Sequence, residues 1–210
     1  MPHDPNSWDF SSYLGNPEFH LHETLRGQWA ALYWLMRIGE SALEVGCGSA
    51  RMSILLKRLR PDKRVVALDI SERTCEVARR YTTLANVDVP VLRADALALP
   101  FGDKSFSICH SVGLLEHYSD EWIEAALKEQ ARVADAVLVS VPTDYYVVTF
   151  KGQHGDERGI SKHKWFNLLL SLGCPLAEHS LMGNLSEEYW LIAIIDTSGY
   201  VDTSGYVCPS

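Results

Sequence analysis

The sequence predicts an α/β fold: a doubly wound, mainly parallel sheet with helices on both faces. Three observations carry this. Apolar runs of about four to six residues alternate with amphipathic runs of about ten to fifteen, as parallel strands and their crossover helices require. Acidic residues stand at the ends of three successive predicted strands, at Glu44, Asp69 and Asp95. A glycine-rich turn, Gly46-Cys47-Gly48, separates the first of these strands from its helix.

Leu25, Trp29, Leu32 and Met36 fall near helical spacing and predict a helix over 22–38. Residues 42–45 read as a short buried strand ended by Gly46. Met52, Leu55, Leu56 and Leu59 follow the i, i+3, i+4, i+7 pattern of an amphipathic helix, which Pro61-Asp62 breaks. A strand over 65–68 ends at Asp69, and Ser71 is placed to cap a helix carrying Val77, Tyr81 and Leu84 on one face. A third strand is expected over 87–92, a loop over 96–105, and a fourth strand over 106–110. A helix over 120–134 and a strand over 137–141, closed by Pro142, complete the clear alternation. Beyond 143 the pattern weakens to a helix at 161–172 and strands near 175–181 and 188–195. The expected organisation is one domain: an aromatic helical lid at 1–40, a core at 41–195 and a tail at 196–210. In the tail DTSGYV occurs twice in succession, at 196–201 and 202–207, and reads as a slipped duplication or a cloning feature on a frayed end.

The chain has 210 residues, 47% of them hydrophobic and 22% charged, ordinary values for a globular protein. Its net charge of -8 opposes phosphate backbones, so no nucleic acid partner is expected. No apolar run approaches the ~20 residues of a membrane helix, and the first residues lack the basic and apolar regions of an export signal. The five cysteines, at 47, 75, 109, 174 and 208, are odd in number and form no CxxC pair. They read as free core thiols, and the chain as cytoplasmic. The isolated His20-x-His22 pair does not amount to a metal site, and no metal is expected.

Ligands of such sheets bind at the carboxyl ends of the strands, near the point where the strand order reverses. The turn there is not a dinucleotide fingerprint, because the third glycine position holds Arg51. It is not a phosphate loop either, since no Gly-Lys-Ser/Thr follows. Glu44, two residues before the turn, would repel a pyrophosphate and favour an ammonium group; alternatively it simply caps the turn. Asp69 lies 23 residues after Gly46, a spacing that suits acceptance of both ribose hydroxyls. Asp95 is placed to accept from an exocyclic amine such as adenine N6.

The runs ALEVGCGSA, VVALDIS, LRADALALPFGDKSFS and VGLLEHYSD, in this order, closely resemble the class I S-adenosylmethionine-dependent methyltransferases. The resemblance covers roughly residues 41–142, about half the chain. It implies a Rossmann-like, seven-stranded sheet whose last strand is antiparallel, with residues 175–195 supplying its final strands. It implies S-adenosylmethionine as cofactor, with Glu44, Gly46 and Gly48 at its methionine part, Asp69 at the ribose, Asp95 and Ala96 at adenine, and Ile70 and Ser111 as further cofactor contacts. Two positions depart from the family pattern. Its third glycine is Ala50 here, which matters only if that position needs a positive φ. The common Phe-Asp opening the fourth strand is Phe106-Ser107.

Methyl transfer from a sulfonium needs alignment and water exclusion more than acid–base machinery, so the lack of a triad does not count against activity. The segment SVGLLEHY, residues 111–118, lies between cofactor and substrate in relatives. His117 is the first candidate there for a base or substrate-orienting group, or else it pins the loop. Glu116 and His110 are weaker candidates. The amino-methylating Asn/Asp-Pro-Pro-Tyr signature and the Pro-Cys nucleophile are both missing after the fourth strand. These absences leave a small-molecule acceptor as the main expectation; a protein or RNA acceptor, or a non-catalytic regulatory subunit, are the alternatives. Trp8, Tyr13 and Phe19 are expected either to wall the substrate site, where they would also cage a cation, or to pack the N-terminal helix onto the sheet. The segment from 143 to 159, with Asp144, Tyr145, Tyr146, His154, Asp156, Glu157 and Arg158, is expected to add substrate contacts. The oligomeric state is not legible.

Overall fold

A computed structural model describes residues 8–150, 156–184 and 187–199. A short 3-10 turn at Ser11–Gly15 leads into α1 (Pro17–Gly27) and α2 (Trp29–Arg37). The alternating region follows as β1 (Ser41–Val45), α3 (Arg51–Leu59), β2 (Arg64–Asp69), α4 (Glu72–Leu84), β3 (Val91–Arg93), β4 (Ile108–Val112), α5 (Asp120–Val133) and β5 (Ala136–Pro142). The chain then forms α6 (Asp144–Phe150), α7 (Lys162–Leu170), β6 (Leu176–Asn184) and β7 (Glu187–Asp196). The seven strands form one sheet in the order β3-β2-β1-β4-β5-β7-β6. β7 runs antiparallel to both β5 and β6, and the pairs among β1 to β5 are parallel. The expected fold is therefore the observed one.

Strand periodicity splits the core into two layers. Along β1, Ala42 faces α2 and α3, with Leu32, Ile54 and Leu56, while Leu43 and Val45 face Leu127 and Trp165 on the other side. Trp165 is fully buried, and its indole N–H donates to the Pro142 carbonyl at 2.9 Å, so its polar handle is satisfied.

Five sequence expectations need correction. The predicted helix over 22–38 is two helices that break at Gln28, and α1 starts earlier. The signal for that start was present: the Asn16 side chain caps Phe19 N, and Pro17 is the first helical residue. β3 is short because Pro90 has no N–H for the ladder; only its carbonyl takes part, accepting from Ala67 N at 3.0 Å. β4 sits two residues further on than expected, and Phe106 makes only an isolated bridge to Ala134. The segment after β5 opens with the helix α6, although Tyr145-Tyr146-Val147 favours strands locally. The described part of the first DTSGYV copy, residues 196–199, is not a frayed end. Thr197 is buried, and its hydroxyl donates to the Ala134 carbonyl at 2.7 Å. The second copy and Cys208 lie outside the described residues.

A buried lysine ties the N-terminal helices to the sheet. Lys63 Nζ donates to the carbonyls of Leu35 and Gly39 at 2.8 Å each, and to that of Ile38. These are the unpaired carbonyls around the end of α2, so the ammonium serves as its C-terminal cap. Lys63→Met keeps the length and removes the donor; three buried carbonyls lose their partner, and urea unfolding is expected to show a loss of about 3 kcal/mol.

Ala50 precedes α3 in the left-handed region, at φ 58, with its methyl buried. Left-handed backbone costs an alanine about 1–2 kcal/mol. The buried methyl returns about 0.8 kcal/mol, and alanine orders more cheaply than glycine by about 0.4–1 kcal/mol. The terms nearly cancel. Ala50→Gly is expected to change unfolding free energy by less than about 1 kcal/mol, whereas a β-branched Ala50→Val should cost about 2 kcal/mol or more.

Candidate active site

β1 and β4 are neighbours, but the crossover from β1 leads to β2 on one side and that from β4 to β5 on the other. The sheet therefore splits at their carboxyl ends, and two adjoining chambers lie there. The first has a volume of about 380 Å³ and is reached by Glu44, Gly46, Gly48, Glu116 and Trp190. The second, of about 600 Å³, is reached by Asp69, Ile70, Asp95, Ala96, Leu114 and Trp122. Trp8, Gly46 and His117 line both.

The turn after β1 is left-handed at Gly46, Gly48 and Ala50, with φ of 69, 54 and 58. A Cβ on Gly46 would stand 2.6 Å from Leu114 Cδ1, and one on Gly48 would stand 3.1 Å from the Phe10 ring. Glycine is required at Gly46 on both counts. Three amides of this turn are already used. Cys47 N donates to the Leu68 carbonyl at 2.9 Å, Gly48 N to Asp69 Oδ2 at 3.1 Å, and Ala50 N to the Cys47 carbonyl at 2.7 Å. They do not form the open amide cradle that a pyrophosphate needs.

Glu44 is buried, and its Oε2 accepts from both Ser53 N, at 3.0 Å, and Ser53 Oγ, at 2.5 Å. Ala50 has no side-chain acceptor, so Glu44 supplies the N-terminal cap of α3 from the neighbouring strand. The cap reading considered from sequence is thus realised, and Glu44 also reaches the first chamber. Burial pushes its carboxyl up to about 7, against the two Ser53 hydrogen bonds. Burial likewise raises Asp69, opposed by the Ser71 and Gly48 amides. Asp95 lies at the exposed mouth of the second chamber, its Oδ1 accepting from Leu97 N at 2.9 Å.

His117 belongs to a one-turn 3-10 segment, Leu115–His117, after β4. Its Nδ1 lies 3.0 Å from Asp156 Oδ1, and its ring meets that of Trp8 edge to face at 4.6 Å. Arg158 holds this segment in place: its N donates to the Glu116 carbonyl at 2.9 Å, and its guanidinium bonds Asp120 and the Tyr118 carbonyl. Glu116 is buried, and its Oε2 has no hydrogen-bond partner among the described residues. Burial pushes Glu116 up to about 8, with the charges of Glu157 and Asp156 adding to the rise.

The structure thus brings Glu44, Gly46, Gly48, Asp69, Ile70, Asp95, Ala96 and His117 to one split in the sheet. Ser111 is not among them. It is buried in β4 and lines neither chamber. His110 is buried within β4 with both ring nitrogens unpartnered among the described residues, and burial pushes it down to about 3. Of the predicted aromatic wall, Trp8 and Tyr13 are in place, but Phe19 is 54% exposed. His154 lies outside the described residues. Sequence reasoning missed Trp122, Trp190 and Gln28. The Gln28 Oε1 accepts from Ser140 Oγ at 2.8 Å, and the residue reaches the chamber only because the helix breaks there. Among the described residues no group of three or more metal-ligating side chains comes together, and no helix is long and apolar enough to cross a membrane.

Glu44 and Glu116 set an expected pH dependence. Each stays protonated in the folded chain at pH values where the unfolded chain, with an ordinary glutamate pKa of 4.5, has ionised. The folded state then binds more protons, so stability falls as pH rises from about 5 to 8, by up to roughly 1.4 kcal/mol per unit for each group. Urea midpoints measured across this range are expected to decline, and Glu116→Gln is expected to flatten the upper part of the decline.

A methyltransferase-domain family model matches residues 42–136. The chain is 33% identical over 100 residues to 27-O-demethylrifamycin SV methyltransferase of Amycolatopsis mediterranei, a stretch covering 47% of this chain and 36% of that one. It is 31% identical over 125 residues to demethylmenaquinone methyltransferase of Thermus thermophilus, covering 56% of each. The chain thus spans about a third to just over half the length of these curated relatives. The fold matches a SAM-dependent methyltransferase from Aquifex aeolicus with a TM-score of 0.71 at 18% identity, over 92% of this chain and 98% of that one. A protein from Pyrococcus horikoshii matches with a TM-score of 0.69 at 20% identity, over 93% and 94%. Residues 42–136 are therefore similar to a methyltransferase domain, and the fold is shared with the methyltransferase from Aquifex aeolicus.

Proposed function

We propose that the chain transfers a methyl group from S-adenosylmethionine to a small-molecule acceptor by direct displacement. The observation that carries this reading is the placement of buried Glu44 and Asp69 on either side of the Gly46–Gly48 turn, above a chamber with nucleoside chemistry. Asp69 accepts from the ribose hydroxyls, Asp95 accepts from the adenine amine, and Ile70, Leu114, Ala96 and Trp122 supply apolar walls for the base. Glu44 faces the amino-acid end, where its charge suits an ammonium. The occupied turn amides favour this ligand over a dinucleotide. When bound, the cofactor supplies a methyl group on a sulfonium, already activated for transfer.

The chain's own residues then align and exclude. Trp8 closes the junction of the two chambers, which makes residues 8–40 a lid over one catalytic domain. His117, oriented by Asp156, stands at the same junction and positions the acceptor or takes its proton. The 380 Å³ chamber takes the cofactor's amino-acid end at Glu44 and the glycine turn, and the acceptor occupies its other side, by Glu116, Tyr146 and Trp190. Two relatives named above act, by their names, on a rifamycin and a menaquinone precursor.

Calorimetric titration with S-adenosylhomocysteine tests the reading. Micromolar binding is expected, and Asp69→Asn should weaken it roughly 10- to 100-fold by removing charged acceptors from two hydroxyls. A folded chain that does not bind would overturn the proposal.

A further inference from the structure

Four carboxylate residues reach the first chamber among the described residues: Glu23, Glu44, Glu116 and Glu157. Among the described residues one arginine or lysine reaches it, and that cation, Arg51, sits over the Tyr13 ring at 4.2 Å. Glu23 pairs with Arg26 at 3.3 Å, and Glu44 is committed to Ser53. Glu116 differs from both. It is 2% exposed, its Oε2 lacks a hydrogen-bond partner among the described residues, and His117 Nε2 lies 3.8 Å from its other oxygen. A carboxyl so buried stays protonated while it stands alone, and it releases its proton to become a carboxylate when a cation binds beside it.

Aromatic surface stands beside it. A Cβ built on Gly113 would lie 3.6 Å from Glu116 Oε1 and 3.9 Å from Trp190 Cη2, so carboxylate and indole meet over one glycine. Tyr146 packs edge to face on Trp190 at 5.6 Å, and both line the chamber. A carboxylate against aromatic rings, in an enclosure with excess negative charge, is the chemistry that recognises an organic cation. A carboxylate-bearing acceptor would meet like charge there.

We propose that the acceptor carries a protonated amino group, held by Glu116 against Trp190 and Tyr146. This names a substrate class for the methyltransferase reading above and rests on it. It assigns recognition of the cation, not the atom that receives the methyl group. Glu116 is the specificity-determining residue, and a neutral acceptor of equal size leaves its carboxyl without a counter-charge.

The test uses the whole chain saturated with S-adenosylhomocysteine, so that the Glu44 end is filled. Calorimetry then compares 2-phenylethylamine, 2-phenylethanol and 3-phenylpropionate. The amine is expected to bind at least about tenfold more tightly than the alcohol, and the carboxylate most weakly. Glu116→Gln should remove the amine's advantage and leave the affinities for the alcohol and for S-adenosylhomocysteine unchanged, the latter showing that the variant is folded. Trp190→Leu should weaken the amine more than the alcohol. Equal binding of amine and alcohol, no amine binding, or an amine preference that survives Glu116→Gln would overturn the proposal while S-adenosylhomocysteine still binds. Failure of S-adenosylhomocysteine itself to bind would overturn both this inference and the reading beneath it.

Discussion

The Gly48 N–H donates to the Asp69 carboxylate across the ends of β1 and β2, and that bond fixes the turn on which the site is built. The turn is left-handed at three alternating residues and has little stability of its own. It persists because a carboxylate holds it from each side. Asp69 takes the Gly48 amide, and Glu44 takes the Ser53 amide in the first turn of α3. Both acids are buried, and burial raises both. Such groups weaken a fold unless their hydrogen bonds offset the desolvation. Here backbone donors meet them, so the acids brace the turn while reaching the chambers on either side.

The two halves of the site are assembled differently. The nucleoside half comes from strand ends of the rigid sheet. The acceptor half depends on distant segments brought over it: Trp8 and Tyr13 from the N-terminus, Gln28 from the break between α1 and α2, and Trp190 from β7. Each has an anchor in the scaffold. Lys63 caps α2 onto the sheet, Ser140 bonds Gln28, and Arg158 ties the segment carrying Asp156 to the loop carrying Glu116 and His117. The His117 ring therefore owes its orientation to residues some 40 positions away in sequence, Asp156 being separated from it by 39.

This difference explains what was legible in the sequence. The order and type of the alternating elements from β1 to β5 were legible because local apolar periodicity and burial agree there, although the bounds of β3 and β4 were not. The acids at 44, 69 and 95 could be located because a parallel sheet fixes where strand ends point. The break at Gln28 was hidden because both helices bury apolar residues at similar spacing, although Asn16-Pro17 marked the true start. α6 was hidden because its β-branched and aromatic residues contradict the helix they form beside β7. Ser111 was assigned from its place in a motif, yet it is buried in β4 while its successors Val112 and Gly113 line the first chamber. Trp190 carried no local signal, since only the pairing of β7 with β5 brings it opposite Pro142.

The central claim is that the split between β1 and β4 holds S-adenosylmethionine, its nucleoside on Asp69 and Asp95 and its amino-acid end at the glycine turn. A crystal structure of the complex with S-adenosylhomocysteine tests it most directly. The account requires both ribose hydroxyls within hydrogen-bond distance of the Asp69 carboxylate and the purine between Ile70 and Leu114. A nucleoside bound elsewhere, or one in this chamber that leaves Asp69 uncontacted, would contradict it.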